Sequence, residues 1–135
     1  MRRDIKAFLI DVVEATDAIL EAVNGIKLDD YCNSRLIRSS VEREFIIIGE
    51  ALTNLSRLNN DLFTRIQNAQ RIISFRNKLT HEYVKVDNTL VWGVIQSYLQ
   101  PLRSACVALA AESDPGADLP IAKAEAIDDE LVSYR

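Results

Sequence analysis

The chain has 135 residues, of which 48% are hydrophobic and 27% charged, with a net charge of −4 at pH 7. That length supports one domain with its own core and no metal or disulfide staples, and the composition is that of an ordinary water-soluble globular protein. The longest apolar runs, Phe45 to Ile48 and Ala105 to Ala111, fall far below the roughly 20 residues of a bilayer-spanning helix.

In chain order, Ile5, Phe8, Leu9, Val12, Ile19, Leu20 and Val23 recur at the three- and four-residue steps of one helix face, and Gly25 is the expected stop. A second, long helical pattern starts near Asp29 as N-cap and continues through Ile37, Val41, Phe45, Ile48, Leu52 and Leu55, with a break expected near Ser39. Glu42, Glu44, Glu50, Ala51 and Leu52 favour helix over strand around the consecutive Phe45, Ile46, Ile47 and Ile48. Those four place apolar side chains on more than one side of the helix, and burial on two sides predicts a dimer. Gly49 permits a close helix crossing.

After a polar joint at Leu58 to Asp61, a short helical piece leads to another beginning near Asn68, with Ile72, Ile73, Phe75 and Leu79 as its apolar face. Asp87 caps a last helix whose stripe runs from Leu90, Val91, Val94, Ile95, Tyr98, Leu99 and Leu102 to Leu109, and Pro101 should kink it. From Ser113 onward Pro115, Gly116 and Pro120 interrupt the pattern. The expectation is an all-α, up-and-down bundle of four main helices over residues 1–112, followed by an acidic, flexible or partner-draped tail over 113–135.

Charge is uneven along the chain. Residues 1–112 hold 14 basic and 14 acidic side chains, whereas 113–135 hold 2 and 6. Within the neutral body, 57–85 carries Arg57, Arg65, Arg71, Arg76, Lys78 and Lys85 against Asp61 and Glu82, a net of +4. That band either attracts a polyanion or is a solvated helix face. A body with no net charge predicts modest affinity for such a polyanion.

Gly25, Gly49, Gly93 and Gly116 are isolated, so no glycine-rich phosphate cradle of the dinucleotide or P-loop kind can form. His81 is the lone histidine, and the spacing of Cys32 and Cys106 gives no zinc site; no metal and no cofactor are expected. Distant cysteines, and an N-terminus in which Asp4 and Asp11 follow Arg2 and Arg3, predict reduced thiols, no secretory leader and a cytoplasmic protein. Cys32, Cys106 and Trp92 read as packing residues.

The chemistry concentrates in Arg76-Asn77-Lys78-Leu79-Thr80-His81-Glu82-Tyr83. On a helix turning about 100° per residue, Arg76 and Tyr83 lie about 20° apart, but His81 lies about 140° from Arg76. Either the helix ends inside the segment, or the Arg and His meet across a two-fold axis between two copies. An imidazole and a guanidinium fit RNA cleavage by internal transfer, in which the ribose 2′-hydroxyl attacks phosphorus without a metal. A structural reading is also open, with Arg76 paired to a surface carboxylate, His81 at a helix end and Tyr83 lying over the core.

The segment resembles the R-x4-H-x-Y signature of HepT, a toxin family of the HEPN superfamily, through Arg76, His81 and Tyr83, with Asn77 as the polar residue after the Arg. Val41 to Leu52 is similar to that family's long-helix signature and Val91-Trp92 to the start of its last helix, so the likeness covers residues 4 to 112. It implies a HEPN-like fold dimerising through the long helix and the motif region. The implied activity is a metal-independent endoribonuclease toxin with catalytic Arg76 and His81, supported by Asn77, leaving a 2′,3′-cyclic phosphate. It also implies an MntA-type nucleotidyltransferase antitoxin that transfers AMP to Tyr83, where charge and bulk would compete with substrate. Arg71, Lys78 and Lys85 are the RNA-binding candidates. The alternative is a non-catalytic helical module that docks a nucleotidyltransferase or binds nucleotide.

Overall fold

Six helices form the regular structure of residues 4–82 and 86–112, the residues described by a computed structural model, and no strand occurs among them. The first, α1 (Ile5–Ala22), begins where the Asp4 carboxylate accepts a hydrogen bond from the Ala7 N–H at 2.9 Å. That bond satisfies one of the amide donors left over at a helix start. Beyond it Gly25 takes φ +78°, a left-handed turn that a residue without Cβ enters at no steric cost.

The second helical pattern is divided at Ser34, not near Ser39. It forms α2 (Leu28–Asn33) and α3 (Arg35–Leu58). Ser34 is extended and its hydroxyl accepts from the Ile37 N–H at 3.2 Å, so it caps α3 and breaks the register at the same residue. Ser39 lies inside α3 and is exposed. Asp29 is likewise inside α2; Lys27 holds the N-cap position, and its N–H donates to the Asp30 carboxylate at 2.9 Å.

Helix α3 is the centre of the molecule. Val41, Phe45, Ile48, Leu52 and Leu55 along one side of it are fully excluded from solvent, and they pack against α1, against α4 (Asn60–Thr64) and against α5 (Ala69–His81). Phe45 meets Phe75 of α5 edge to face, with ring centroids 5.0 Å apart. The run Phe45 to Ile48 is therefore largely covered by its own chain. Phe45 and Ile48 are buried, Ile47 packs against the core, and Ile46 is half-buried outside that cluster. Both α1 and α5 pack against α3.

The last helix, α6 (Asn88–Glu112), starts behind Asp87, whose carboxylate accepts from the Thr89 N–H at 2.9 Å. It stays helical through Pro101, which is exposed. Arg103 grips Asp17 of α1 through two bonds of 2.6 and 3.3 Å, both groups largely shielded from water. Arg65 Nη2 reaches both carboxylate oxygens of Glu112 at 2.9 Å, and an ion pair this exposed contributes little in water. Four long helices thus carry the all-α bundle, with α2 and α4 as short connecting turns. Among the described residues no helix is long and apolar enough to cross a membrane. The acidic stretch 113–135 lies outside the described residues.

The centrality of α3 sets a measurable contrast. Phe45→Ala should lower unfolding stability by about 3–5 kcal/mol, whereas Leu36→Ala, at a position 81% exposed, should stay within about 0.5 kcal/mol of the parent. Urea denaturation of both variants checks this, and equal losses would contradict the packing described.

Candidate functional site

Helix α5 carries the residues on which the sequence concentrates chemistry. Its apolar side chains Ile72, Phe75 and Leu79 anchor it in the core, and the residues between them take up positions fixed by helical pitch. Helicity persists through His81, and the Glu82 N–H closes the last turn on the Lys78 carbonyl at 2.8 Å. The helix thus ends inside the segment, but only after His81, so Arg76 to His81 is one uninterrupted helical stretch. Arg76 and His81 consequently project about 140° apart around one axis, and a single chain does not bring them together.

Arg76 turns toward α3. Its stem lies over Gly49, where an added Cβ would sit 2.5 Å from the arginine Cγ and 2.7 Å from its Cβ. The guanidinium is half-buried and held at two points: its Nε–H donates to Asn77 Oδ1 at 2.9 Å, and Nη2 donates to Thr53 Oγ1 at 3.3 Å. The Thr53 hydroxyl in turn donates to the Gly49 carbonyl at 2.8 Å. Of the five N–H bonds of the guanidinium, three stay available to an anion. Gly49 does permit a close crossing, as its lack of a side chain predicts, but what crosses it is an arginine stem. Thr53 was not legible as a partner of Arg76; its only signal is a place four residues after Gly49, on the same side of α3.

His81 is exposed at the end of α5, beside exposed Asn77 and Thr80. Arg71 and Lys78 are both exposed, separated by seven residues and therefore about 20° apart on the helix surface. They line one groove between α5 and α6 with Phe75, Leu90 and Val94, and Arg71 Nη1 lies 3.5 Å from the Tyr98 hydroxyl. Lys78 lies only about 60° from His81 but about 160° from Arg76 around α5. The two cations thus share a side of the helix with the histidine and not with the arginine. Tyr83 and Lys85 lie outside the described residues.

Neither cysteine sits with these groups. Cys106 is buried, and burial pushes its thiol up to about 12. Cys32 is half-buried in α2, its carbonyl accepting from the Arg38 guanidinium. Among the described residues no cluster of three or more His, Cys, Asp or Glu side chains could hold a metal ion.

An all-α bundle in which a central long helix backs a shorter one bearing Arg, Asn and His is the architecture of a HEPN-type protein. The family model described as "Ribonuclease HepT-like" matches residues 12–109, and the chain belongs to that family. MJ1380 of Methanocaldococcus jannaschii, a protein whose name assigns it an RNase role, is 35% identical over 98 residues, covering 70% of this chain and 86% of its own. A second protein of that organism named in the same way, MJ1216, is 32% identical over 91 residues, 67% of this chain and 74% of its own. A Thermococcus cleftensis protein named "Probable ribonuclease HepT" is 30% identical over 103 residues, 76% of this chain and 93% of its own. No solved structure matches the chain.

The two thiols provide a check on the local burial. A thiol pushed up to about 12 is protonated throughout the neutral and mildly alkaline range, and only the thiolate attacks alkylating reagents. At pH 8 iodoacetamide should therefore modify Cys32 in the native protein and leave Cys106 intact, with both reacting in urea. Peptide mass analysis reads the result, and equal native labelling would contradict the placement of Cys106.

Proposed function

We propose that the chain is a HEPN-type endoribonuclease that cleaves RNA through attack of the ribose 2′-hydroxyl, with residues 1–112 as its working domain. The observation that carries this reading is the tethered Arg76 guanidinium, three of its N–H bonds uncommitted, on the same helix as an exposed His81. In the proposed step His81 takes the 2′-hydroxyl proton as O2′ bonds to phosphorus. The bond from phosphorus to the 5′-oxygen breaks, and that oxygen leaves with the proton that His81 returns. The products are a 2′,3′-cyclic phosphate and a 5′-hydroxyl end. Arg76 holds the phosphate and offsets charge gathering on its non-bridging oxygens, which a fixed guanidinium does without reorganising. Asn77 steadies Arg76 through Nε. Because nucleophile, acid–base group and charge stabiliser all come from substrate and side chains, no metal enters the reading.

The divergence of Arg76 and His81 around one helix gives the reading its quaternary requirement. Two α5 helices facing each other across a two-fold axis would set the arginine of one protomer beside the histidine of its partner. In the same reading Arg71, Lys78 and Lys85 track the RNA backbone. The chain then acts as the toxin of a pair, silenced when a nucleotidyltransferase antitoxin of MntA type places AMP on Tyr83, since a phosphodiester there would occupy the phosphate site with like charge.

Purified protein should cut single-stranded RNA in the presence of EDTA and leave cyclic-phosphate ends. Arg76→Ala and His81→Ala should each slow cleavage by about 100-fold or more while keeping parental helicity. Mixing the two inactive variants should restore part of the rate, since a mixed dimer retains one arginine and one histidine on opposite chains. An active His81→Ala protein would defeat the catalytic assignment. Intact RNA with retained binding to a nucleotidyltransferase would instead identify a docking module.

Co-expression with the nucleotidyltransferase tests the silencing separately. The intact mass should rise by one or more AMP units, and Tyr83→Phe should abolish that rise; an increment that persists would put the modification on another residue.

A further inference from the structure

We propose that Thr53 of α3 is a positioning residue for the Arg76 guanidinium, and that Gly49, one turn earlier, is the slot through which the arginine stem reaches it. The inference rests on the reading of Arg76 as the phosphate-holding group and assigns a role to two residues of a helix that carries none of the motif.

The polarity of the contact is determined by the hydroxyl. A threonine side chain has one proton to donate, and here it goes to the Gly49 carbonyl at 2.8 Å. The oxygen therefore meets Arg76 Nη2, 3.3 Å away, as an acceptor. Threonine on a helix is stiff at χ1 and bonds back to the preceding turn in this way, so the acceptor is pre-set before the arginine arrives. Thr53 is half-buried on α3, and α3 is locked by the fully buried Val41, Phe45, Ile48, Leu52 and Leu55. Asn77, by contrast, is exposed on the same helix as Arg76.

The two acceptors divide the work. Asn77 Oδ1 takes Nε–H at 2.9 Å and Thr53 takes one proton of Nη2. Both Nη1 protons and the second Nη2 proton are left for phosphate oxygens. Gly49 makes this possible. Any Cβ at that position would approach Arg76 Cγ to 2.5 Å, Cβ to 2.7 Å and Nε to 3.1 Å, displacing the stem and withdrawing the head from Thr53.

The test compares full-length wild type with Thr53→Val, Thr53→Ser and Gly49→Ala. Valine keeps the shape and removes the acceptor. It should lower kcat for RNA cleavage about tenfold with KM changed less than about threefold, the size expected for one hydrogen bond to a charged group at a half-buried position. Serine, which restores the oxygen, should recover most of that loss. Gly49→Ala should cost more than Thr53→Val, because it moves the whole stem. A readout independent of activity is the Arg76 Nε–H signal in ¹⁵N-resolved NMR, whose exchange with water should quicken in Thr53→Val and Gly49→Ala but not in Thr53→Ser. An active wild type with unchanged kcat and unchanged Nε–H exchange in Thr53→Val would overturn the proposal. A wild type that leaves RNA intact would overturn the nuclease reading, and the exchange comparison would then still decide whether Thr53 positions Arg76.

Discussion

The crossing of the Arg76 stem over Gly49 ties the candidate chemistry to the hydrophobic core. An arginine buries its methylenes against apolar surface while its head seeks polar partners, and here both demands are met on α3. The missing side chain of Gly49 admits the stem, and the Thr53 hydroxyl four residues later meets the head. Because Phe45, Ile48 and Leu52 are completely buried on α3, the acceptor stands on an element anchored in the core. A charged group held from such a platform loses little freedom when it meets a phosphate, which is the condition under which fixed charge is most effective.

The same regularity that anchors Arg76 separates it from His81. A helix cannot bend two residues five apart onto one face, and α5 is helical throughout that interval. What α5 does gather is a second constellation, with Arg71 and Lys78 over the apolar floor of Phe75, Leu90 and Val94. Leu90 is 47% exposed there, and an apolar side chain between two cations is a surface that both bases and phosphates can use. Under the proposed function, anion holding and backbone tracking fall on two sides of one helix, and a second copy would serve to bring Arg76 and His81 together.

Several features were legible from local physics because they depend on neighbours in sequence. Asp4, Asp87 and Gly25 act where capping and turn chemistry place them, and the long stripe of α6 follows its apolar periodicity. The break at Ser34 was missed because apolar spacing continues across it, and a hydroxyl cap leaves no trace in a hydrophobic pattern. How far the run Phe45 to Ile48 is covered within one chain was not legible, because a sequence does not display how many neighbours its helices share; α1 and α5 both pack on α3.

Sequence alone therefore determined the helical class and the family, and it singled out the candidate residues, since periodicity, caps and motif spacing are properties of a single strand of residues. Tertiary structure decided which of those residues meet. It turned Arg76 inward to Gly49 and Thr53, grouped Arg71 and Lys78 on another side, and left His81 apart from the arginine. Positions 23 residues apart, such as Thr53 and Arg76, become partners only when packing sets the crossing of two helices. No local rule encodes that crossing, because it is the joint solution of all the buried side chains between them.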